Sequence, residues 1–151
     1  MDTRKIVVAV DGSKHADKAL DFACDLSKSK AAELVIAHVQ KDKGAAVAPE
    51  ELQRYNEVEH VNITEQEILA MAAKEVLHEA QKQARDHGVG DSRAVLCEGS
   101  PVNALVALAE TEKADLLVVG SRGISSLDSL LFGSTSLSLE RKAGCTVIVV
   151  H

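Results

Sequence analysis

Val118–Ser138, VVGSRGISSLDSLLFGSTSLS, is the stretch whose reading decides the fold. It opens inside the apolar run Leu116-Leu117-Val118-Val119, the pattern of a strand buried on both faces of a parallel sheet. The run stops at Gly120. Gly123 and Gly133 follow, with Ser134, Thr135 and Ser136 directly behind the last glycine and a helix expected to start near Ser134. Strand, glycine loop, hydroxyl cluster and helix start, in that order, suit a phosphate. Glycine lets backbone N–H groups come close to an anion, and a helix start adds unpaired N–H groups and a partial positive charge. Arg122 would add a full charge. A loop rich in Gly and Ser for its own sake has the same composition. The spacing is neither GxGxxG nor GxxxxGK[ST], so two commoner nucleotide signatures are absent.

Outward from this stretch the chain alternates strands and helices. Lys5–Val10, KIVVAV, reads as a central parallel strand that ends in a tight turn at Asp11-Gly12. Ser13 suits an N-cap, and Ala16, Ala19, Leu20, Ala23 and Leu26 recur at helical spacing over about Lys14–Ser29. Glu33–Val39 is a second strand. Thr64-x-x-Glu67 has capping-box spacing ahead of a long helix with apolar residues from Leu69 to Ala84, and Gly88 and Gly90 are its stop signals. Arg93–Cys97 is a third strand. Ser100-Pro101 starts another helix, with Ser as N-cap and Pro at the first helical position. Asp115–Val119 and Cys145–Val150 are the last two strands. Between Lys41 and Asn62 the periodicity lapses. That connection is expected to be a lid or mobile loop near the ligand face, or a solvated acidic loop; Leu52, Tyr55 and Val58 would make a short helical turn in it.

This order calls for an α/β fold: a doubly wound, parallel, five-stranded sheet with helices on both faces. Right-handed crossovers that cover both faces require the strand order to reverse once. Ligands of such sheets bind at the carboxyl ends of the strands, beside that reversal. Asp11 lies at one such end. Its carboxylate can accept from ribose hydroxyls or an adenine amine, or it can cap its own turn, as Asp before Gly often does. His38 comes with no Ser or Cys nucleophile pattern and reads as structural or solvent-facing.

Gly120-x2-Gly123-x9-Gly133-Ser134, after a valine-rich strand, resembles the ATP-binding signature of the universal stress protein family. The opening KIVVAVDGS resembles that family's first strand and turn, and the likeness runs from Lys5 to Val150 apart from the connection after Lys41. The resemblance implies a Rossmann-like sheet of the adenine-nucleotide alpha-hydrolase type with strand order 3-2-1-4-5, in one domain spanning residues 1–151. It implies a small stress-response protein that binds ATP with Mg2+ or another divalent ion. Val10 and Asp11 would hold the nucleoside and the Val39 backbone would meet adenine. Gly120, Arg122, Gly123, Gly133, Ser134 and Thr135 would line the phosphate path. No catalytic residue is implied. A slow ATPase and a nucleotide-independent dimeric scaffold are the alternatives; Asp128 is a carboxylate in the loop that can order a metal ion or repel phosphate. Relatives often carry Pro before the last valines, where this chain has Thr146.

Bulk properties set the outer limits. The chain has 151 residues, 46% of them hydrophobic and 26% charged, a globular composition large enough for a sizeable core. Phe22, Tyr55 and Phe132 are its only aromatics, so the core is aliphatic and stacking platforms for single-stranded nucleic acid are few. A net charge of −6 argues against general nucleic-acid or anionic-membrane binding. No run has transmembrane length and no signal-peptide pattern opens the chain, so the expected compartment is the cytoplasm. Cys24, Cys97 and Cys145 lack metal-ligand spacing and read as reduced core thiols. Thr146–Val150 is apolar on both faces; as an edge strand it is a bare template for pairing and would make a two-fold homodimer.

Overall fold

A computed structural model describes residues 2–40, 49–121 and 132–151. Five strands form one parallel sheet: β1 (Lys5–Ala9), β2 (Glu33–Gln40), β3 (Ser92–Glu98), β4 (Leu116–Gly120) and β5 (Thr146–Val150). Their order is β3-β2-β1-β4-β5, as the resemblance implied. The helices are α1 (Lys14–Lys30), α2 (Pro49–Glu59), α3 (Glu65–Asp86), α4 (Pro101–Glu112) and α5 (Phe132–Lys142).

The apolar runs sit where continuous burial demands them. β1 is central, and Ile6, Val7 and Val8 are wholly buried. Alternation along the strands splits the core in two. On one face Ile6, Val8, Leu34, Ile36, Leu116 and Val118 pack under α1 and α3. On the other, Val7, Val35, Ala37, Leu117 and Val119 pack with Leu105 of α4 and Leu139 of α5. Truncating one such buried Leu or Ile to Ala costs about 2–5 kcal/mol. Ala16, Ala19 and Ala23 face the sheet and let α1 lie close to it. The winding changes face after β3, so the reversal falls between β1 and β4, which pair directly from Ile6↔Leu116 to Val8↔Val118.

Caps follow the sequence with one exception. Ser13 Oγ accepts from the Ala16 N–H at 3.2 Å, and Thr64 and Glu67 form the full capping box of α3. Ser100 stands at the N-cap of α4 with Pro101 behind it, but its hydroxyl makes no capping hydrogen bond. The fixed φ of Pro101 and the Ala104 N–H bond to the Ser100 carbonyl start that helix instead. The connection after β2 also differs from a loop with one turn: Pro49–Glu59 is an 11-residue helix. It escaped the apolar-period reading because Leu52 is buried while Tyr55 and Val58 face outward.

The amino edge of the sheet is held by charge. Arg93 on β3 forms a two-pronged pair with Glu112 at the end of α4, with Nη1–Oε1 at 2.9 Å, and reaches Glu33 on β2 at 3.2 Å. Lys5 on β1 lies 3.2 Å from Glu112 and 3.4 Å from Glu33. Asp115 Oδ2 accepts the backbone N–H groups of Arg4 and Lys5 at 2.8 and 2.9 Å. Hydrogen bonds from Arg93 hold the Glu112 carboxyl below its ordinary range, and the two backbone donors do the same for Asp115. The two edge strands are unlike. β3 carries Arg93 and Glu98 along its exposed positions; β5 carries no charge between Thr146 and Val150.

Candidate functional site

Where β1 ends, the chain makes a tightly bonded turn. The Val10 N–H donates to the Ala37 carbonyl at 2.8 Å, carrying the β1–β2 ladder one residue further. The Val10 carbonyl accepts from His38 Nδ1, also at 2.8 Å. A carbonyl can only accept, so His38 Nδ1 carries the proton and this histidine is a strap across two strand ends, as its sequence context indicated. Asp11 Oδ1 accepts the Ser13 N–H at 2.9 Å. Gly12 between them takes φ +83°, a conformation that disfavours a side chain. The turn-capping reading of Asp11 is therefore realised through one oxygen. Among the described residues no donor meets Oδ2.

β4 ends beside this turn. A Cβ on Gly120 would meet the His15 carbonyl carbon and oxygen at 2.8 Å and the Ala16 nitrogen at 3.1 Å. The first turn of α1 thus rests on the bare backbone of the first glycine of the signature. Ser121 follows, buried, its N–H bonded to the Val150 carbonyl at 2.9 Å and its hydroxyl 3.5 Å from His15 Nδ1. Sequence reading passed over His15 and Ser121. The signal for them was weak: one lies two residues past an N-cap and the other directly follows the strand's last glycine.

Val39 is half-buried near the carboxyl end of β2, on the α4–α5 side of the sheet. Gly133, Ser134 and Thr135 lie in the first turn of α5, which begins at Phe132 rather than near Ser134. Arg122, Gly123 and Asp128 lie outside the described residues. The structure thus brings Val10, Asp11 and Gly120 together at the ends of the two central strands and sets Val39 on the next strand.

On the opposite side a groove of about 400 Å³ runs between α1 and α3, lined by Val10, Gly12, Asp17, Glu75, Glu79 and Asp86 among others. Its carboxylates outnumber Lys82, its one lining cation. Burial, with Asp21 and Asp11 nearby, pushes the Asp17 carboxyl up. An added anion is unfavourable there. Among the described residues no three His, Cys, Asp or Glu side chains are grouped to hold a metal ion, and no helix is long and apolar enough to cross a membrane. The three cysteines are free thiols.

The model of the universal stress protein family matches residues 2–151. The chain belongs to the universal stress protein family. Among universal stress proteins, YxiE of Bacillus subtilis is 34% identical over 149 residues, covering 97% of this chain and 98% of its own length. Universal stress protein Rv1636 of Mycobacterium tuberculosis is 32% identical over 152 residues, covering 98% and 96%. A crystal structure of a universal stress protein in complex with cAMP superposes with a TM-score of 0.72 at 30% identity, covering 100% of this chain and 99% of that one. The five-stranded sheet described above is the universal stress protein fold.

Proposed function

We propose that the chain is a small cytoplasmic stress-response protein that binds ATP in the crevice where β1 and β4 part. The observation that carries this reading is the meeting of Asp11, with one carboxylate oxygen uncommitted, and the bare backbone of Gly120 at the carboxyl ends of adjacent central strands. Asp11 Oδ2 accepts from ribose hydroxyls beside Val10, and the Val39 backbone reads the adenine edge. The phosphates pass from Gly120 along Arg122 and Gly123 to Gly133, Ser134 and Thr135, where the start of α5 supplies N–H groups. The relative solved with cAMP supports an adenine nucleotide as the ligand class. A divalent ion, Mg2+ in the first instance, is held by the phosphate oxygens and water rather than by a protein cage, in keeping with the described residues. The chain pairs with a second copy through β5, whose uncharged outer edge is the sheet's unguarded one.

Thermal melts with Mg-ATP, Mg-GTP and cAMP test the ligand, because a ligand bound only by the native state raises its melting temperature. ATP should give the largest shift, GTP less. Gly133→Ala should weaken ATP binding about tenfold, or roughly 1.4 kcal/mol. Equal shifts for ATP and GTP remove the adenine assignment; no shift at millimolar ATP removes the nucleotide. For the pairing, Val149→Asp should give monomers or insoluble chains, and a wild-type chain that sediments as a monomer at high concentration defeats it.

A further inference from the structure

We propose that the solvent-facing side of α2 is a docking surface for a basic amphipathic protein segment. The α2 helix is anchored on its inner side and fixed at its end. Leu52 is buried. One turn on, Asn56 clamps the chain that leads to α3: its Nδ2 donates to the Ile63 carbonyl at 2.8 Å, and its Oδ1 accepts the Ile63 N–H at 3.0 Å. Asn56 also accepts the Val61 N–H on its own carbonyl at 3.1 Å. These bonds fix the end of α2 to the segment that leads into α3.

That outer face is apolar where solvent should be met. Tyr55 is 52% exposed, Val58 73% and Val61, just past the helix, 39%. Glu51, Tyr55 and Val58 follow at i, i+4 and i+7, so they share one stripe, which runs alongside the buried Leu52. Single exposed hydrophobic residues are ordinary; an exposed aromatic and an exposed β-branched residue three positions apart on one helix are not explained by packing.

The surroundings name the occupant. Residues 49–67 hold Glu50, Glu51, Glu57, Glu59, Glu65 and Glu67 against Arg54 alone, a net charge of −5 with His60 neutral, in a chain whose total is −6. Among the described residues no cation pairs with Glu50, Glu51, Glu57 or Glu59. An apolar stripe inside an unpaired acidic rim complements a helix with Leu or Ile on one side and Lys or Arg flanking it. It repels an anionic membrane surface for the same reason. This inference does not depend on nucleotide binding.

The test uses the full chain and a fluorescein-labelled helical peptide of about 18 residues, five turns, with Leu at one face and Lys elsewhere. Fluorescence anisotropy should give saturable one-to-one binding that weakens as NaCl rises from about 50 to 300 mM. Tyr55→Ser with Val58→Ser should weaken it about tenfold, and Glu51→Gln with Glu57→Gln should weaken it and flatten the salt dependence. Both pairs are exposed, so circular dichroism should show an unchanged fold. Glu75→Gln with Glu79→Gln, in the acidic groove between α1 and α3, should leave binding unchanged. Absence of saturable binding overturns the proposal. So does equal loss with the groove variants, which would mean unspecific attraction, and so does tighter binding of the chain to phosphatidylserine vesicles than to the peptide. If the Tyr55 and Val58 changes instead abolish self-association, the face belongs to a second copy and the proposal is wrong.

Discussion

Gly120→Ala separates packing from phosphate chemistry. The added methyl would stand 2.8 Å from the carbonyl carbon and oxygen of His15 and 3.1 Å from the Ala16 nitrogen, where ordinary contact begins at 3.4 Å. All three are backbone atoms, in a helix start fixed by the Ser13 cap, so no side chain can swing aside. Either β4 or the first turn of α1 must shift by several tenths of an ångström. Overpacking of this kind costs about 1–3 kcal/mol. For a chain of this size each kcal/mol is worth roughly 2–4 °C, so a mid-range cost lowers the melting temperature by about 4–8 °C. The assay is calorimetry of the protein without nucleotide, beside Gly144→Ala, whose methyl would meet nothing within 4 Å. A Gly120→Ala protein that melts within about 1 °C of wild type refutes the close approach and returns this glycine to the ligand alone.

Two further outcomes can be checked. Arg93 and Lys5 hold the Glu112 carboxyl below its unfolded value of about 4.3, so between the two values the unfolded chain binds the extra proton. The stability Glu112 adds is complete above about pH 5 and is lost as pH falls through its folded value; Glu112→Gln should lower stability at neutral pH and flatten the acid limb in urea titrations. An unaltered limb would show that the pair contributes nothing. Burial, with Asp21 and Asp25 nearby, pushes the Cys24 thiol up to about 11, so iodoacetamide at pH 8 should spare it in the native protein and label it after denaturation; labelling at the rate of a free thiol contradicts its placement in the core.

The fold was legible where burial leaves a repeating trace. A central parallel strand must be apolar on both faces, and KIVVAV and LLVV show that directly. The strand order itself came from the resemblance, because nothing in the apolar runs says which is neighbour to which. Where one residue serves two demands, the sequence was ambiguous. Asp11 closes its own turn through Oδ1, which realises the capping reading, and its contact with a nucleoside is the proposal made above. Gly120 was assigned to phosphate, yet the contact with His15 gives it a reason independent of any ligand. The α2 helix was legible only as a short turn at Leu52, Tyr55 and Val58, because of these three apolar residues Leu52 alone is buried and no extended buried stripe marks its length. Three described left-handed residues are not glycine, Ala31 at φ 51° and Lys113 at φ 53° closing α1 and α4 and His60 at φ 56° just after α2, and sequence offers no mark for those.

The unlike edges of the sheet also bear on the stoichiometry of the proposed pairing. A parallel sheet with two receptive edges would add copies at both ends and grow without limit. Here β3 carries Arg93 and Glu98 whereas β5 carries no charge, so β5 is the less protected edge. In the proposed dimer, two copies joined through β5 by a two-fold axis would each have spent that edge, and both outer boundaries of the joined sheet would be charged β3 strands. Growth would then end at two, because the second addition would remove the surface that a third needs.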